Sequence, residues 1–161
     1  MELLKIMERG FGRLVIGLIL GALLVLVLGL PLVSASTVLI TYPNQDKIVI
    51  FDTESEKSQE VALLGGPGRL SLSEDRGTAV IAMTKDNSVS VFDLKTLTET
   101  ARINVGRKPL DVLLYNGKAY VANSNGKELV EVDLNTKEVT RRVDVGKAPT
   151  RVELISLEDG P

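Results

Sequence analysis

Residues 88–93 read SVSVFD, and related hexapeptides occur twice more, as KIVIFD at residues 47–52 and ELVEVD at residues 128–133. The aspartate that closes each hexapeptide recurs at intervals of 41 and 40 residues. Apolar residues run or alternate between turn residues in these stretches, which is typical of short β-strands. The chain beyond residue 35 is therefore a threefold repeat with a period near forty residues.

Two further signals keep the same phase. A second strand-like segment precedes each hexapeptide, as TVLITY at 37–42, TAVIAM at 78–83 and KAYVAN at 118–123. A glycine followed by a proline ends each repeat: Gly65 and Pro67, Gly106 and Pro109, Gly146 and Pro149. Each unit contains four short segments, and no amphipathic helix follows Ser36, so the pattern predicts four-stranded antiparallel sheets rather than a helical solenoid.

At three of these stretches the chain resembles the YVTN-type β-propeller family of exported prokaryotic proteins. The matching segments are Tyr120-Val-Ala-Asn-Ser124, Val89-Ser-Val-Phe-Asp93, and Val143-Asp-Val-Gly146 followed by Ala148-Pro149. The resemblance covers about residues 37 to 158, and the first copy departs most from the pattern because its Gly–Pro spacing is one residue shorter. It implies blades with an innermost strand A and an outermost strand D, and a binding or cell-surface role.

The resemblance predicts an all-β fold of β-propeller-type repeats after an N-terminal hydrophobic helix. About three four-stranded blades are expected, with their ends split between the termini. In residue numbers, the blade units are about 37–64, 69–105 and 110–145, and the last strand is 150–157. The first unit has strands B, C and D without A, and the last strand A has no B, C or D after it.

Propellers typically have four to eight blades, and an open array leaves strand edges unpaired. Two hypotheses follow for residues 36–161. In the first, two chains form a homodimer with a six-bladed ring, in which the 150–157 strand of each completes the first blade of the other. In the second, the chain is a shortened relative of a longer propeller and is prone to aggregation.

Residues 1–35 differ from the rest. Residues 14–33 contain no charged residue and would span a bilayer core as a helix, after a head that carries Lys5, Arg9 and Arg13. The positive-inside rule places the following residues outside the cytoplasm. Two interpretations remain open: a cleaved signal peptide, since Val33-Ser34-Ala35 has a small-residue cleavage pattern, or an uncleaved membrane anchor. Both predict an exported protein, membrane-anchored and facing outward in one case, secreted or periplasmic in the other.

Composition excludes several kinds of chemistry. The chain has no histidine and no cysteine, so a Ser-His-Asp triad, thiol catalysis and imidazole or thiolate metal ligands are absent. Residues 36–161 carry 16 basic and 19 acidic residues, a balance that does not suggest a nucleic-acid partner. No metal or cofactor is expected.

In the family topology, basic residues at the D–A turns and the start of strand A could line the mouth of the central channel. These candidate binding residues are Arg69, Arg107, Lys108, Lys147 and Arg151. Such a basic ring would attract a protein or an anionic cell-envelope ligand. The alternative is that they are ordinary solvated turn charges, and Arg141 and Arg142 are interpreted as outer-strand charges that discourage edge pairing.

The periodic aspartates fall on separate blades, so a side-chain bond to nearby backbone N–H groups explains their recurrence better than acid–base catalysis. We therefore expect an exported or membrane-tethered scaffold that acts by binding. The alternative is an enzyme of the hydrolase, lactonase or quinone-cofactor type, completed by oligomerisation. A structural subunit of a surface array is a third class.

Overall fold

The computed structural model describes residues 36–155, which form eleven β-strands in three antiparallel sheets. Sheet 1 contains β1 (Thr37–Tyr42), β2 (Lys47–Asp52) and β3 (Ser58–Ala62) in that order. Sheet 2 contains β4 (Pro67–Leu72), β5 (Thr78–Met83), β6 (Ser88–Asp93) and β7 (Thr98–Asn104). Sheet 3 contains β8 (Pro109–Tyr115), β9 (Lys118–Asn123), β10 (Glu128–Asp133) and β11 (Glu138–Asp144).

This architecture confirms the all-β fold class and the order of strands within each repeat. The innermost strands begin at Pro67 and Pro109, slightly earlier than the sequence predicts. Proline fits there because the first residue of a strand needs no ladder donor, and the register shifts immediately after each of the two prolines. The first repeat, which departs most from the motif, still forms a regular three-stranded sheet.

The core consists of two apolar layers, one on each face of sheet 2. Alternation along β5 sends Ile81 and Met83 into a layer with Ile48 and Leu63 of the first repeat. Val80 belongs to the other layer, which also contains buried residues of sheet 3. Sheet 2 is therefore apolar on both faces, and β5 and β6 are continuously buried except at their ends.

The turns lie at two ends of the sheets. We call the end with the turns after odd-numbered strands the odd end; its turns are residues 43–46, 63–66, 84–87, 105–108, 124–127 and 145–148. The even end carries the turns after even-numbered strands. Of the inner strands, β4 lies beside both β1 and β8. This order, β1, β4 and then β8, places the three repeats side by side.

Two predicted segments lie wholly or partly outside the described residues. The predicted membrane-spanning run 14–33 lies outside the described residues, and among residues 36–155 no helix is long and apolar enough to cross a membrane. Residues 150–155 belong to no sheet in the described structure, and residues 156–157 lie outside it. The twelfth strand, 150–157, therefore stays a prediction.

Candidate functional site

The odd end is held together by backbone hydrogen bonds between successive turns. Lys85 N donates to Gly65 O at 3.1 Å, and Val105 N donates to Asn87 O at 3.0 Å. The same arrangement recurs in the third repeat, where Ser124 N donates to Lys108 O at 3.1 Å. Each glycine–proline turn is thus tied to the hairpin turn of the sheet that follows or precedes it. The turn residues are consequently presented on a fixed backbone.

Positive charge is in excess at the odd end. Its turns carry five cations, namely Lys85, Arg107, Lys108, Lys127 and Lys147, and two carboxylates, namely Asp46 and Asp86. Both carboxylates are already engaged: Asp46 accepts from Gly66 N at 2.8 Å, and Asp86 accepts from Arg102 at 2.8 Å. These bonds hold the pKa of both aspartates below the usual value, with the Gly66 N–H the largest cause for Asp46 and Arg102 for Asp86. Both therefore stay ionised, and Asp46 also pairs with Lys85 at 3.5 Å, so the turns carry three more cations than carboxylates.

Three of the predicted binding residues lie in these turns. Arg107, Lys108 and Lys147 are exposed, and their side chains make no ion pair within residues 36–155. Lys108 has a φ of 55°, and Ala148 takes a φ of 53° at the matching place before the proline of the next turn. The two turns therefore share the left-handed conformation at the residue before the proline, and Arg107 and Lys147 lie at matching positions in them. Lys85 and Lys127, which the sequence analysis did not select, belong to the same surface because their hairpin turns open at the same end.

The other two predicted residues lie in a mixed-charge row. Arg69 of β4 approaches Asp111 of β8 at 3.5 Å, and Asp111 Oδ2 also accepts the backbone N–H of Val152 at 3.0 Å. Arg151 pairs with Glu153 at 3.2 Å. Sequence reasoning passed over Asp111, which holds in β8 the position of Arg69 in β4, two residues after the proline. The sequence contains the signal for this position, since the residues two positions after the three prolines are Arg69, Asp111 and Arg151. Whether these residues line a channel stays a prediction.

Two outer-strand arginines connect neighbouring repeats. Arg102 donates to Leu64 O at 2.6 Å, and Arg142 donates to Val105 O at 2.8 Å, in each case the residue before a turn glycine. Arg142 also pairs with Glu128 at 2.7 Å, as Arg102 does with Asp86. We call Arg102 and Arg142 the bridging arginines. Arg142 thus has a role beyond the predicted outer-strand charge that discourages edge pairing, because its guanidinium binds the turn that leads into its own sheet.

Sheet 1 has a glutamate, Glu60, at the position of the bridging arginines. Ser90 is opposite Arg102 and Val130 is opposite Arg142, and in the same register Val49 is opposite Glu60. Glu60 pairs with Lys47 at 2.7 Å and reaches no preceding turn. The 40-residue spacing of the bridging arginines is a signal that sequence analysis could have used.

Replacing Arg142 by methionine should lower the free energy of unfolding by about 1 kcal/mol, because two charge-assisted hydrogen bonds are lost from a half-exposed side chain. Arg141→Met is the matched control, since Arg141 is the adjacent residue and donates no hydrogen bond in the described structure. The control should change stability by less than about 0.5 kcal/mol. Urea unfolding followed by circular dichroism measures both, and equal effects would contradict the bridging role.

Asn123 of the YVANS motif is fully buried beneath the turn of residues 105–108. Its Nδ2 donates to Val105 O at 2.6 Å, and a Cβ on Gly106 would come within 3.1 Å of that nitrogen. The side chain thus supports the same carbonyl that Arg142 binds. The asparagine of the motif is explained here by turn support.

The periodic aspartates all accept hydrogen bonds from backbone. Asp93 Oδ1 accepts from Lys95 N at 2.7 Å and Thr96 N at 2.9 Å, and Asp52 and Asp133 make the same pair of bonds to the residues two and three positions on. These bonds hold the pKa of each aspartate below its usual value. The largest cause in each case is the N–H of the residue three positions after the aspartate. The prediction that they stabilise turns is in agreement with this geometry, which leaves each carboxylate ionised at neutral pH.

The Asp93→Ala variant should have a lower free energy of unfolding than the native chain at pH 7, and this free energy should fall less as the pH is lowered. A carboxylate whose pKa is lowered by folding contributes stability above its ordinary pKa of 3.8 and loses it as the pH falls through the native value. Urea unfolding at pH 7, 4 and 2.5 should therefore show a smaller decline for the variant than for the native chain. Asp93→Asn, which retains the acceptor without titrating, should be flat in the same way yet more stable than the alanine variant. A decline equal to that of the native chain would disprove the assignment.

The even end has an open cleft of about 450 Å³ between sheets 2 and 3. Its lining includes Glu74, Asp75 and Tyr115. Asp75 accepts from the Ser73 hydroxyl at 2.5 Å and from Gly77 N at 2.9 Å, and these bonds, the hydroxyl first, lower its pKa. A general acid at neutral pH needs a raised pKa, so Asp75 is suited to holding its turn.

Solved structures resemble this arrangement of sheets. Hydrazine synthase from Kuenenia stuttgartiensis superposes with a TM-score of 0.67 at 24% identity over 71% of this chain. Apo AztD from Citrobacter koseri gives 0.63 at 15% identity over 73%, and Sqt1 from Saccharomyces cerevisiae gives 0.64 at 9% over 80%. All three are β-propeller-type proteins. The described fold is of the β-propeller type.

The chain spans between a third and two fifths of these proteins, covering 34%, 35% and 40% of them. At such identities the likeness concerns the fold alone. No protein-family model matches the chain. No curated protein matches it either.

Proposed function

We propose that this chain is an exported β-propeller-type module of the YVTN type that binds an anionic ligand through the turns of its odd end. The observation that carries the proposal is the charge of those turns, which have three more cations than carboxylates. Asp46 pairs with Lys85 and Asp86 with Arg102, while Arg107, Lys108, Lys127 and Lys147 make no ion pair within residues 36–155. A fixed surface with one sign of charge attracts and orients a ligand of the opposite sign. The module thereby serves as a binding scaffold at the cell surface.

The YVTN assignment is supported by the motif and by what its asparagine does. Tyr120-Val-Ala-Asn-Ser124 ends β9 at the odd end, where Asn123 supports the neighbouring glycine–proline turn. The motif occurs once, and its asparagine supports the turn of residues 105–108, which carries Arg107 and Lys108.

The enzyme alternative has less support. The carboxylates that recur with the repeat, and Asp75 in the even-end cleft, are bound to turn backbone and have lowered pKa values. Such groups are poor general acids at neutral pH. A surface-array subunit is compatible with the same surface, but nothing in the described residues favours a lattice.

Export is supported by residues 14–33 and the basic head before them. Protease added to intact cells, or to spheroplasts if there is an outer membrane, should digest the region after residue 36, while a cytoplasmic marker stays intact. The intact mass of the purified protein should then separate the two leader interpretations: loss of about the first 35 residues indicates a signal peptide, and the full mass indicates an anchor. Protection of the whole chain until the membrane is lysed would refute export.

Polyanion binding tests the odd-end surface. The full chain in mild detergent should bind immobilised dextran sulfate but not neutral dextran, and binding should weaken as salt rises. Replacing Arg107, Lys108, Lys127 and Lys147 together by glutamate should weaken binding at least about tenfold, because the surplus charge is reversed. The matched control replaces Lys57, Arg76, Lys95 and Lys137 of the even end by glutamate, which is the same number of reversed charges, and should bind like the native chain. Equal losses in the two variants would rule out a localised site.

A further inference from the structure

The inner edge of sheet 1 is open within the described residues. Sheets 2 and 3 have an innermost strand, β4 or β8, that pairs with their second strand, but β1 pairs only with β2. Val38 and Ile40 of β1 are 45% and 38% exposed, whereas their equivalents in β5, Ala79 and Ile81, are 0% exposed. Within residues 36–155, β1 therefore has no strand on its inner edge, and its aliphatic side chains are exposed where those of the next repeat are covered.

Residues 150–155 hold the position of an inner strand but pair with no second strand in the described structure. The Val152 N–H donates to Asp111 Oδ2 at 3.0 Å, which places this segment beside β8, as Arg69 and Asp111 link β4 to β8. It follows Pro149 as β4 follows Pro67, but no strand pairs with it in the described structure. Leu154 and Ile155 are 49% and 72% exposed. Within the described residues, the segment therefore occupies the place of an inner strand but has no second strand beside it.

One chain cannot satisfy both deficiencies in this arrangement. The inner positions follow the order β1, β4, β8 and then residues 150–155, so the unpaired segment lies at the far side of the repeats from β1. The open edge and the unpaired segment therefore face different neighbours.

We propose that the neighbour is a second copy of this chain, and that residues 150–155 of each copy pair with β1 of the other. The inference is independent of the ligand proposed above. In sheet 2, Leu70 is opposite Ile81 and Leu72 is opposite Ala79. Val152 and Leu154 follow Pro149 by the same number of residues as Leu70 and Leu72 follow Pro67. Ile40 and Val38 hold in β1 the positions of Ile81 and Ala79 in β5. The same register therefore places Val152 opposite Ile40 and Leu154 opposite Val38. Apolar residues then meet at both positions, as they do within sheet 2.

The sheet faces that this pairing brings together are also compatible. Val38, Ile40 and Phe51 lie on the free face of sheet 1, by their register in β1 and β2. Leu113 and Tyr120 are opposite each other on the free face of sheet 3. Two copies of residues 36–155 contain six sheets, within the four to eight blades that are typical of propellers.

Glu131, a carboxylate on the free face of sheet 3, is already paired. Glu131 accepts from Lys118 at 2.7 Å and from the Thr140 hydroxyl at 2.9 Å. Arg141 is opposite Glu131 on the same face. Burial against a second copy would therefore enclose a carboxylate with positive charge beside it, which is less costly than an isolated carboxylate.

Cysteine cross-linking tests the register directly, because the native chain contains no cysteine. Full-length Val38→Cys and Leu154→Cys variants with tags of different mass are co-expressed, purified in mild detergent and oxidised or treated with a short bis-maleimide. We expect a covalent heterodimer between the two variants, since directly opposite residues have Cβ atoms about 4.5–5.5 Å apart. The native chain should have the mass of a dimer by light scattering after subtraction of the detergent.

Leu72→Cys is the matched control for Leu154→Cys, because Leu72 holds the equivalent position in β4 but is already paired with Ala79. Its combination with Val38→Cys should give at least tenfold less heterodimer, with circular dichroism showing that all variants remain β-folded. The proposal is overturned by a Val38–Val38 adduct as the main product, or by cross-linking within a single chain of the Val38→Cys/Leu154→Cys double variant. A monomeric native chain, or no heterodimer although both thiols react with a maleimide dye, would overturn it equally.

Discussion

The burial of both faces of sheet 2 is the constraint on which the rest of the structure depends. Its second strand, β5, is apolar at every position after Thr78, so alternate residues need a neighbouring sheet on each side. Sheets 1 and 3 supply those neighbours, and all three repeats are held side by side by two layers of aliphatic contacts. An antiparallel sheet with one solvated face would have no such requirement.

The two end sheets meet this constraint in different ways. Sheet 3 replaces aliphatic residues on its free face: Glu131 stands where β2 and β6 have Ile50 and Val91. Sheet 1 retains Val38 and Ile40 on its free face, where the next repeat has fully buried residues. The polarity of the end faces is thus directional, and the free aliphatic surface is concentrated on sheet 1.

The odd end shows how a surface can be charged and still well ordered. Bonds from Arg142 and Asn123 meet at the same carbonyl, Val105 O, directly before the turn of residues 106–108. Backbone bonds to neighbouring turns add to them. The exposed cations consequently project from a backbone whose conformation is set from below, which reduces the conformational entropy lost when a ligand binds.

The strands and turns could be predicted because their signals are local. Alternation of apolar residues, the glycine–proline turns and the recurring aspartates each follow from the backbone geometry of a few neighbouring residues. The contacts of Arg142 and Asp111 could not be predicted in that way. They depend on which side chains from separate repeats face each other, and an exposed arginine in an outer strand has the same local sequence whether it binds a turn or solvent. In the sequence, only the repeat spacing distinguishes Arg102 and Arg142 from the other arginines.

The bridging arginines also define a natural unit of gene duplication. Arg102 binds the carbonyl of Leu64, and Arg142 binds that of Val105, so each acceptor and its donor lie within one stretch of about forty residues. A copied segment that begins at the acceptor and ends with the outer strand brings its own turn, its own sheet and the bond that joins them. Sheet 1, with Glu60 at this position, is the repeat that such a lengthening of the array would not reproduce.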